Sequence, residues 1–523
     1  MLKTKNFVFF TVLIIFLIFL KSDFRIINDL QCCNDDFDYF AHASTIAEDF
    51  DFDYSNQLPD KSRYFRNEKN APFGFLGTGL LSSPFLFIGG FFDNITRYEG
   101  GKQLSLKYLS YSFSSIFYFL WSLILIKKIQ KFYNVNFNYV LYFLGSGVTY
   151  YVFERYSMTP IYEVFTILCV IFLTQQFIIY KSKRELYSFL IPFFILLAIL
   201  VRWTNLFVLL VPVIVILSYE NFNIPLIKKF LNKYFFVSSM LNILIFAFFS
   251  KQIYGVVTFS PSYVYMVNEF DSLVSENILN NFIIFVLDFF KDFLIINFSQ
   301  EFGLFWFSPI LFIATFLIIY KIIFYKNKRI FMLYTLLLFC FLQNFFIVSI
   351  WNSTASSYGF RYLFSLIPVS FLVIFINKEF LSNNLILNYL KYFSVFAFLS
   401  TLFFDATQLT TLSLDPVTNS FGYEKVYSQP NYLEGVIRSI FEIEAYRKII
   451  ATSFLFIFIV EILINQLKIE IIYEYVYSIS ENNSDLNLLL IDINELTIYY
   501  FMFIVFTAII FSYQISKHIS KFK

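Results

Sequence analysis

The sequence predicts an all-α polytopic membrane protein with about 11–13 transmembrane helices. Composition is the first observation behind this class. The 523 residues are 58% hydrophobic and only 15% charged, whereas a soluble protein of this length needs more charge to cover its surface. The second observation is that apolar stretches of about 18 or more residues recur along the whole chain, which is the length that a bilayer core requires of a spanning helix.

Apolar runs locate the candidate spans. The first run, at 6–21, follows Lys3 and Lys5, and no small-residue cleavage site comes after it, so we expect an uncleaved first span. The other candidate spans are near 104–126, 136–153, 162–180, 187–201, 204–219, 234–250, 304–325, 330–350, 361–377, 387–404, 450–466 and 497–515.

Basic residues orient these spans. Lys and Arg cluster in four short connections, at 127–131, 181–184, 228–233 and 326–329. All four fall on the same side as the N-terminal lysines, and the positive-inside rule places that side in the cytoplasm. The acidic segment 467–496 falls inside by the same count, so the topology of the C-terminal end stays open.

Long outer segments are where function is expected. They cover about 22–103, 251–303 and 405–449 and mix acidic, polar and aromatic residues, and long connections in compact proteins tend to carry function. We expect residues 1–404 to form one transmembrane module with the first outer loop at 22–103. Residues 405–523 then supply an outer loop and C-terminal transmembrane helices. The net charge of +2 argues against nucleic acid as a partner.

The first outer loop contains an acidic cluster. Asp35, Asp36 and Asp38 fall within four residues, so mutual repulsion is expected to raise the pKa of at least one carboxyl. Such a cluster suits a general base near neutral pH or a divalent-cation site with oxygen ligands. A solvated acidic surface is the alternative, and charge alone favours it.

A glycine-rich segment follows in the same loop. Gly74, Gly77 and Gly79 lie between Pro72 and Pro84, which lets a short helix or turn pack its backbone closely. The order of Gly and Lys excludes a Walker-type phosphate loop. Close packing of an interfacial segment and lining of a substrate site are both open interpretations.

Two arginines stand out by their position. Arg202 and Arg361 both lie at outer membrane boundaries, where an Arg opposes the positive-inside trend and is costly if it faces lipid. Each therefore needs an anionic partner. A phosphate held by the planar guanidinium is one such partner. An ion pair with an outer acid, or extension of the side chain to lipid headgroups, is the other explanation.

Taken together, these motifs resemble the GT-C superfamily of membrane glycosyltransferases. The greatest likeness is to protein O-mannosyltransferases, the lipid A aminoarabinose transferase and their bacterial relatives. The motifs of this chain occur in the same order as in the family over roughly residues 1–375, although Trp203 stands where the family has Pro. The segments that carry the resemblance, besides the uncleaved first span, are 35–39, 71–84, 202–205, 303–309 and 358–363.

The resemblance implies a GT-C-like catalytic module whose long first outer loop carries short helices. It also implies transfer of a sugar from a polyprenyl-phosphate donor to an acceptor hydroxyl, with inversion at the anomeric carbon. The resemblance implies Asp35 or Asp36 as the base, with Asp38 as the third candidate. The family often has an acid followed by Glu at this pair, whereas this chain has two Asp, so the choice of base stays open. Phosphate contacts would go to Arg361 first and Arg202 second.

Further substrate-binding candidates are Tyr39, Lys69 and Glu154, the last by its place beside Arg155 in a short outer turn. Relatives differ in metal use, so a divalent cation stays open as a cofactor. The acceptor is an unknown glycan, lipid or protein. We expect the protein in the bacterial inner (plasma) membrane, with the N-terminus in the cytoplasm by the positive-inside rule and the active site on the outer face.

Two other classes compete with this interpretation. A lipid or solute transporter explains the many spans equally well, but transporters tend to show paired halves and charges deep in spans. An O-antigen polymerase- or ligase-like envelope enzyme would place its key residues in a late outer loop. The segment 405–449 keeps that alternative open because it carries Arg438, Glu442, Glu444 and Arg447.

Overall fold

A computed structural model describes the residues on which the fold rests. The predicted spans 6–21 and 450–466 lie outside the described residues, as do Glu154, the segment 442–449 and all of the predicted span 497–515 except residues 509 and 513. The described residues are 33–58, 65–66, 69–96, 105–153, 155–219, 224–258, 278–325, 327–351, 358–402, 404–405, 410–414, 421–425, 432–441, 509 and 513.

Helices dominate the described chain. In the first half they are α1 Cys33–Ser44, α2 Gly77–Thr96, α3 Leu106–Phe132, α4 Tyr139–Leu144, α5 Val148–Phe153, α6 Pro160–Ile179, α7 Arg184–Val201 and α8 Val211–Ser218. In the second half they are α9 Ile224–Phe230, α10 Lys233–Tyr254, α11 Ile278–Phe298, α12 Leu304–Phe307, α13 Pro309–Phe324, α14 Lys328–Trp351, α15 Ile367–Ile376, α16 Asn384–Leu402 and α17 Tyr432–Phe441.

Shorter elements join these helices. A π-helical turn, Thr45–Asp49, extends α1, and 3₁₀ helices occupy Lys181–Lys183, Trp203–Leu210, Arg361–Leu366 and Lys378–Ser382. Strands β1 Phe65–Arg66 and β2 Lys69–Asn70 form an antiparallel pair in the first loop. Strands β3 Phe404–Asp405, β4 Thr410–Leu414 and β5 Phe421–Lys425 form a three-stranded antiparallel sheet.

Six of the described helices are long and apolar enough to cross a bilayer, which confirms the predicted multi-pass helical membrane class. The shorter apolar helices are Trp203–Ser218, Pro309–Phe324 and Arg361–Ile376. The six long ones are Leu106–Phe132, Pro160–Ile179, Lys181–Val201, Lys233–Tyr254, Lys328–Ser349 and Asn384–Leu402.

Burial separates inner from peripheral helices. The apolar window of α6 is 78% buried, whereas that of α10 is only 22% buried. α6 packs against α3 and α7 and so lies inside the bundle, while α10 packs on the outside of α7. The exposed face of α10 carries Phe236, Met240, Ile243 and Leu244, as expected of a helix that faces lipid.

The run 136–153 was predicted as one span, and this is wrong. It forms α4 and α5, each six residues long, separated at Gly145 to Gly147. Gly147 has φ +84°, a conformation that side-chain-bearing residues rarely adopt, and Gly145 packs on the backbone of Ser394. The interruption is buried within protein, where irregular backbone is tolerated at membrane depth.

Gly77 and Gly79 of the glycine-rich segment begin α2, a helix of 20 residues, and Gly74 precedes it. The helix packs against α1 at its start and along α3 thereafter. Asp93 near its end accepts the backbone N–H groups of Leu106 at 2.8 Å and Lys107 at 2.9 Å. These N–H groups belong to the first turn of α3 and lack partners within that helix. Asp93 therefore fixes the end of α2 to the start of α3.

Candidate active site

One cavity gathers most of the residues that the sequence singled out. It has a volume of about 120 Å³ and lies between α1, the segment before α2, the end of α7 and the start of the 3₁₀ helix Arg361–Leu366. Its lining combines four charged residues of the predicted site with aromatic rings. The lining residues are Asp35, Asp38, Tyr39, Phe73, Gly74, Phe75, Val201, Arg202, Trp203, Arg361 and Tyr362.

The helical conformation of α1 determines which of the three predicted acids face the cavity. Asp35, Asp38 and Tyr39 stand at positions i, i+3 and i+4, which share one face of an α-helix. All three line the cavity. Asp36 is rotated by about 100° from Asp35 and is absent from that lining. Of the predicted catalytic carboxylates, two therefore face the cavity.

Asp35 is the acid most open to the cavity. Its side chain is 43% exposed, and its Oδ2 lies 2.7 Å from Nη1 of Arg361, which is 14% exposed. Burial raises the pKa of Asp35, but the charge of Arg361, followed by those of Arg155 and Arg202, lowers it further, so that the pKa lies below its ordinary value. Repulsion between neighbouring acids therefore does not raise the pKa of Asp35. Its carboxyl is ionised at neutral pH.

Asp36 has a different environment. It is completely buried, and its Oδ2 lies 3.1 Å from Nη2 of Arg155, which is 1% exposed. Arg155 stands between α5 and α6, so this ion pair ties the first loop to the core of the bundle. A fully buried pair of this kind is inaccessible to an acceptor hydroxyl. We therefore interpret Asp36 as a structural residue.

Asp38, on the same face of α1 as Asp35, holds the segment before α2. It is 2% exposed, and its Oδ2 accepts the backbone N–H of Phe73 at 3.1 Å. The next residue, Gly74, has a carbonyl that accepts Nε2–H of His42 at 2.8 Å and the hydroxyl of Tyr254 at 2.5 Å. Three side chains from two helices thus hold the segment that faces Asp35.

His42 is part of this support and has no direct place in the cavity. Burial lowers its pKa to about 4, although the hydrogen bond to Gly74 raises it in part, so the ring is neutral near pH 7. With Nε2–H donating to Gly74, Nδ1 accepts the hydroxyl of Tyr54 at 2.7 Å. The ring thereby links α1 to two parts of the first loop.

Arg202 reaches the cavity from the end of α7. Its Nη1 lies 3.0 Å from Oε1 of Glu163, a fully buried residue in the first turn of α6. Its guanidinium carbon lies 4.5 Å from the centroid of the Tyr362 ring, within cation–π range. The charge of Arg202 is thus neutralised from inside the bundle. That of Arg361 is neutralised by an acid open to the cavity.

Sequence reasoning missed Glu163, although a signal was available. It lies three residues after the first residue of an otherwise apolar helix, Pro160–Ile179, and a charge in such a helix needs a partner. Two successive antiparallel spans place the start of one beside the end of the next. That connectivity brings Glu163 next to Arg202.

The remaining predicted substrate-binding residues differ in their position relative to the cavity. Tyr39 lines the cavity, as its prediction as a substrate-binding residue requires. Lys69 is exposed in β2 and is not among the cavity residues, so we do not retain it as a donor contact. Glu154 lies outside the described residues, but its neighbour Arg155 is the partner of Asp36.

Metal binding receives no support from the described part of the chain. There, no group of three or more His, Cys, Asp or Glu side chains is placed to hold a cation. Asp38 is engaged with the backbone of Phe73, and Asp35 with Arg361. We therefore derive no chemical step through a metal ion.

The cavity lies at the opposite ends of its helices from the basic connections. α6 starts near Glu163 and finishes at the 181–184 connection, and α7 runs back from there to Arg202. A helix of 20 residues is about 30 Å long, so the charged cavity and that connection are separated by about a bilayer core. The helix that follows Arg361, α15, likewise ends two residues before Lys378.

Close packing of the glycine-rich segment is confirmed by two contacts. A Cβ on Gly77 would lie 2.2 Å from the backbone nitrogen of Val201, and one on Gly79 would lie 2.3 Å from Cβ of His42. These contacts fix the start of α2 against α7 and α1. Gly74 also lines the cavity, and lining of a substrate site stays a prediction.

We predict that Gly77→Ala destabilises the protein by about 1–3 kcal/mol, because the added methyl group meets backbone that cannot rotate away. Gly90→Ala in the same helix is the matched control, since a Cβ there meets nothing within 4 Å. The control is expected to stabilise the helix by up to about 1 kcal/mol. Thermal unfolding in detergent measures both, and equal effects would contradict the packing described.

Comparison with known proteins gives weak likenesses only. No known family model matches the chain, and no curated protein matches it. Among solved structures, the chain is similar to an Archaeoglobus fulgidus oligosaccharyltransferase in complex with zinc and sulfate. The identity is 12%, covering 75% of this chain and 53% of that one, with a TM-score of 0.43.

A second solved structure is similar to the chain to about the same degree. It is the archaeal oligosaccharyltransferase AglB from Archaeoglobus fulgidus, in complex with an inhibitory peptide and a dolichol-phosphate. The identity is 13%, covering 73% of this chain and 51% of that one, with a TM-score of 0.41. The chain spans about half the length of these two proteins. TM-scores below 0.5 do not assign it to their family.

Proposed function

We propose that this protein is a GT-C-like membrane glycosyltransferase that transfers a sugar from a polyprenyl-phosphate donor to an acceptor hydroxyl. The observation that carries the proposal is the composition of the cavity. An ionised, partly exposed carboxylate, Asp35, and two guanidiniums, Arg361 and Arg202, line the same space. A base and a phosphate-binding charge are the two groups that this reaction requires.

The arrangement of these groups supports the following roles. The Asp35 carboxylate takes the proton of the acceptor hydroxyl, whose oxygen attacks the anomeric carbon from the side opposite the phosphate. The bond between the anomeric carbon and the phosphate oxygen breaks, and its electron pair leaves with the polyprenyl phosphate. Arg361 stabilises the charge that develops there. Attack from the opposite side inverts the anomeric carbon.

Aromatic side chains of the cavity suit a sugar with a lipid leaving group. Phe73, Phe75 and Trp203 stand beside the charged groups, and binding sites commonly combine apolar walls with a few polar groups that fix orientation. Tyr39 adds a hydroxyl to this wall. Burial raises the pKa of Tyr39, so its hydroxyl stays protonated and available as a hydrogen-bond donor.

The position of the cavity supports a site on the outer face. The basic connections mark the cytoplasmic side under the positive-inside rule, and the cavity lies at the other helix ends. A polyprenyl-phosphate donor presents its phosphate at a membrane surface and keeps its chain in the bilayer. We therefore propose an inner-membrane enzyme of bacterial type with an outward-facing site.

Donor class is the first point to test. Purified protein in detergent is supplied with labelled sugars linked either to polyprenyl phosphate or to nucleotides, together with a mixed fraction of envelope glycans, lipids and proteins as acceptors. We expect consumption of at least one polyprenyl-phosphate donor and of no nucleotide sugar. Movement of intact lipid-linked sugar across a vesicle membrane without cleavage would instead indicate a transporter.

Arg361→Ala provides the matched variant for that assay. Removal of a charge that stabilises the leaving phosphate is expected to lower donor cleavage by about 10²–10³-fold. Lys391→Ala serves as the control, because Lys391 is an exposed residue of α16 and is absent from the cavity lining. Equal activity of the two variants would remove Arg361 from the mechanism.

A further inference from the structure

The two arginines of the cavity are neutralised in different ways. Glu163, the partner of Arg202, is fully buried at the start of α6, and no ligand in the cavity can replace it without burying an unpaired charge. Asp35, the partner of Arg361, is 43% exposed and lines the cavity itself. An anion that enters the cavity therefore competes with Asp35 for Arg361.

We propose that Arg361 exchanges anionic partners during turnover, from the carboxylate of Asp35 to the phosphate of the lipid carrier. This inference rests on the proposed function, and it makes Arg361 the link between the base and the leaving group. Before reaction the guanidinium holds Asp35. After reaction it holds the polyprenyl phosphate, while Asp35 carries the proton of the acceptor.

Charge balance favours the exchange. When Asp35 takes the acceptor proton, its negative charge disappears, and the pair with Arg361 loses its Coulomb attraction. In the same step the phosphate gains negative charge as the bond to the anomeric carbon breaks. The guanidinium can then form charge-assisted hydrogen bonds to phosphate oxygens. One fixed positive charge thus serves both ends of the reaction.

Groups around Asp35 support this assignment. Besides Arg361, the charges that act on Asp35 belong to Arg155 and Arg202, and each of these already has a buried acid as its partner. Tyr39 is uncharged, since burial raises its pKa. Arg361 is therefore the positive charge near Asp35 whose acidic partner is exposed to a ligand.

The exchange gives an unusual prediction for binding. Asp35→Asn removes the competing carboxylate, so polyprenyl phosphate should bind the variant about two- to fivefold more tightly than the wild type, the range expected for loss of a partly exposed ion pair. Asp35→Glu retains the charge and should bind as the wild type does. Binding is measured by calorimetry with pure polyprenyl phosphate in nanodiscs.

A double-mutant cycle separates exchange from a general change in charge. In the Arg361→Gln background, Asp35→Asn should give no tightening, because the contested guanidinium is gone. Asp51→Asn is the matched control, since Asp51 is exposed in the same loop and accepts a local backbone N–H, that of Asp53 at 3.0 Å. This control should bind polyprenyl phosphate as the wild type does.

The binding experiment distinguishes failure of the partner exchange at Arg361 from failure of the proposed glycosyltransferase function. Unchanged or weaker binding by folded Asp35→Asn would overturn the exchange, as would equal tightening in the Arg361→Gln background. Tighter binding in the wild-type background alone would support it, even if no sugar is transferred. That last combination would count against the proposed function and leave a lipid-phosphate site in which the two anions compete.

Discussion

Replacing Asp35 with Asn is expected to lower sugar transfer by about 10²–10⁴-fold, the usual contribution of a general base. The amide cannot accept the acceptor proton, although it fills the same space on α1. Since the Asp35 side chain is 43% exposed, the protein should remain folded, with a thermal unfolding midpoint close to that of the wild type. Donor consumption and unfolding are measured on the same preparation.

Two variants make this result specific. Asp51→Asn changes an exposed acid of the same loop and should leave transfer unchanged. Asp35→Glu retains a carboxylate but displaces it by one methylene, so partial activity is expected. Full activity of Asp35→Asn would exclude Asp35 as the base and would return attention to Asp38, the other acid that lines the cavity.

Replacing Arg155 with Met is expected to reduce the stability of the protein by about 3–5 kcal/mol, because it leaves a buried carboxylate without its charged partner. Arg155 is 1% exposed and Asp36 is completely buried. The expected readout is a large drop in the thermal unfolding midpoint in detergent. Any loss of activity should follow the loss of folded protein.

Replacing both members of the Asp36–Arg155 ion pair tests this interpretation. Asp36→Leu combined with Arg155→Met replaces both charges by apolar groups, and such replacements are often neutral for stability. The double variant should therefore have a higher thermal unfolding midpoint than Arg155→Met. Lys107→Met is the control, since Lys107 and its partner Glu48 are 25% and 37% exposed and such a partly exposed pair contributes about 1 kcal/mol or less. If Arg155→Met were as stable as the control, Asp36 would not have the structural role assigned here.

Much of the membrane architecture could be predicted from hydropathy. The spans near 104–126, 162–180, 187–201, 234–250, 330–350 and 387–404 each correspond to one long apolar helix, because bilayer thickness fixes their length. The interruption at Gly145 to Gly147 was not predicted. Hydropathy averages over a run, whereas a broken helix depends on a local turn and on the protein that surrounds it.

The candidate site was predictable in composition but not in detail. The prediction that Arg202 and Arg361 need anionic partners is supported by their ion pairs with Glu163 and Asp35. Which first-loop acid faces the cavity depended on helix formation by α1, since the i, i+3 relation separates Asp35 and Asp38 from Asp36. Runs of acids alone carry no such periodicity.

The support behind the cavity wall could not be predicted from the chain. His42 and Tyr254 are far apart in sequence yet both donate to the carbonyl of Gly74. Contacts of this kind arise from the packing of α1 and α10 around the first loop. They leave no periodic or compositional signal, and only the fold brings them together.

The central claim is that Asp35 and Arg361 form the transfer centre, and a structure of Asp35→Asn with bound polyprenyl-phosphate sugar tests it most directly. The variant is expected to hold the donor unreacted. We expect the phosphate within hydrogen-bond distance of Arg361 and the anomeric carbon turned toward the side chain at position 35. A donor bound elsewhere in the protein, with this cavity unchanged, would rule out Asp35 and Arg361 as the transfer centre.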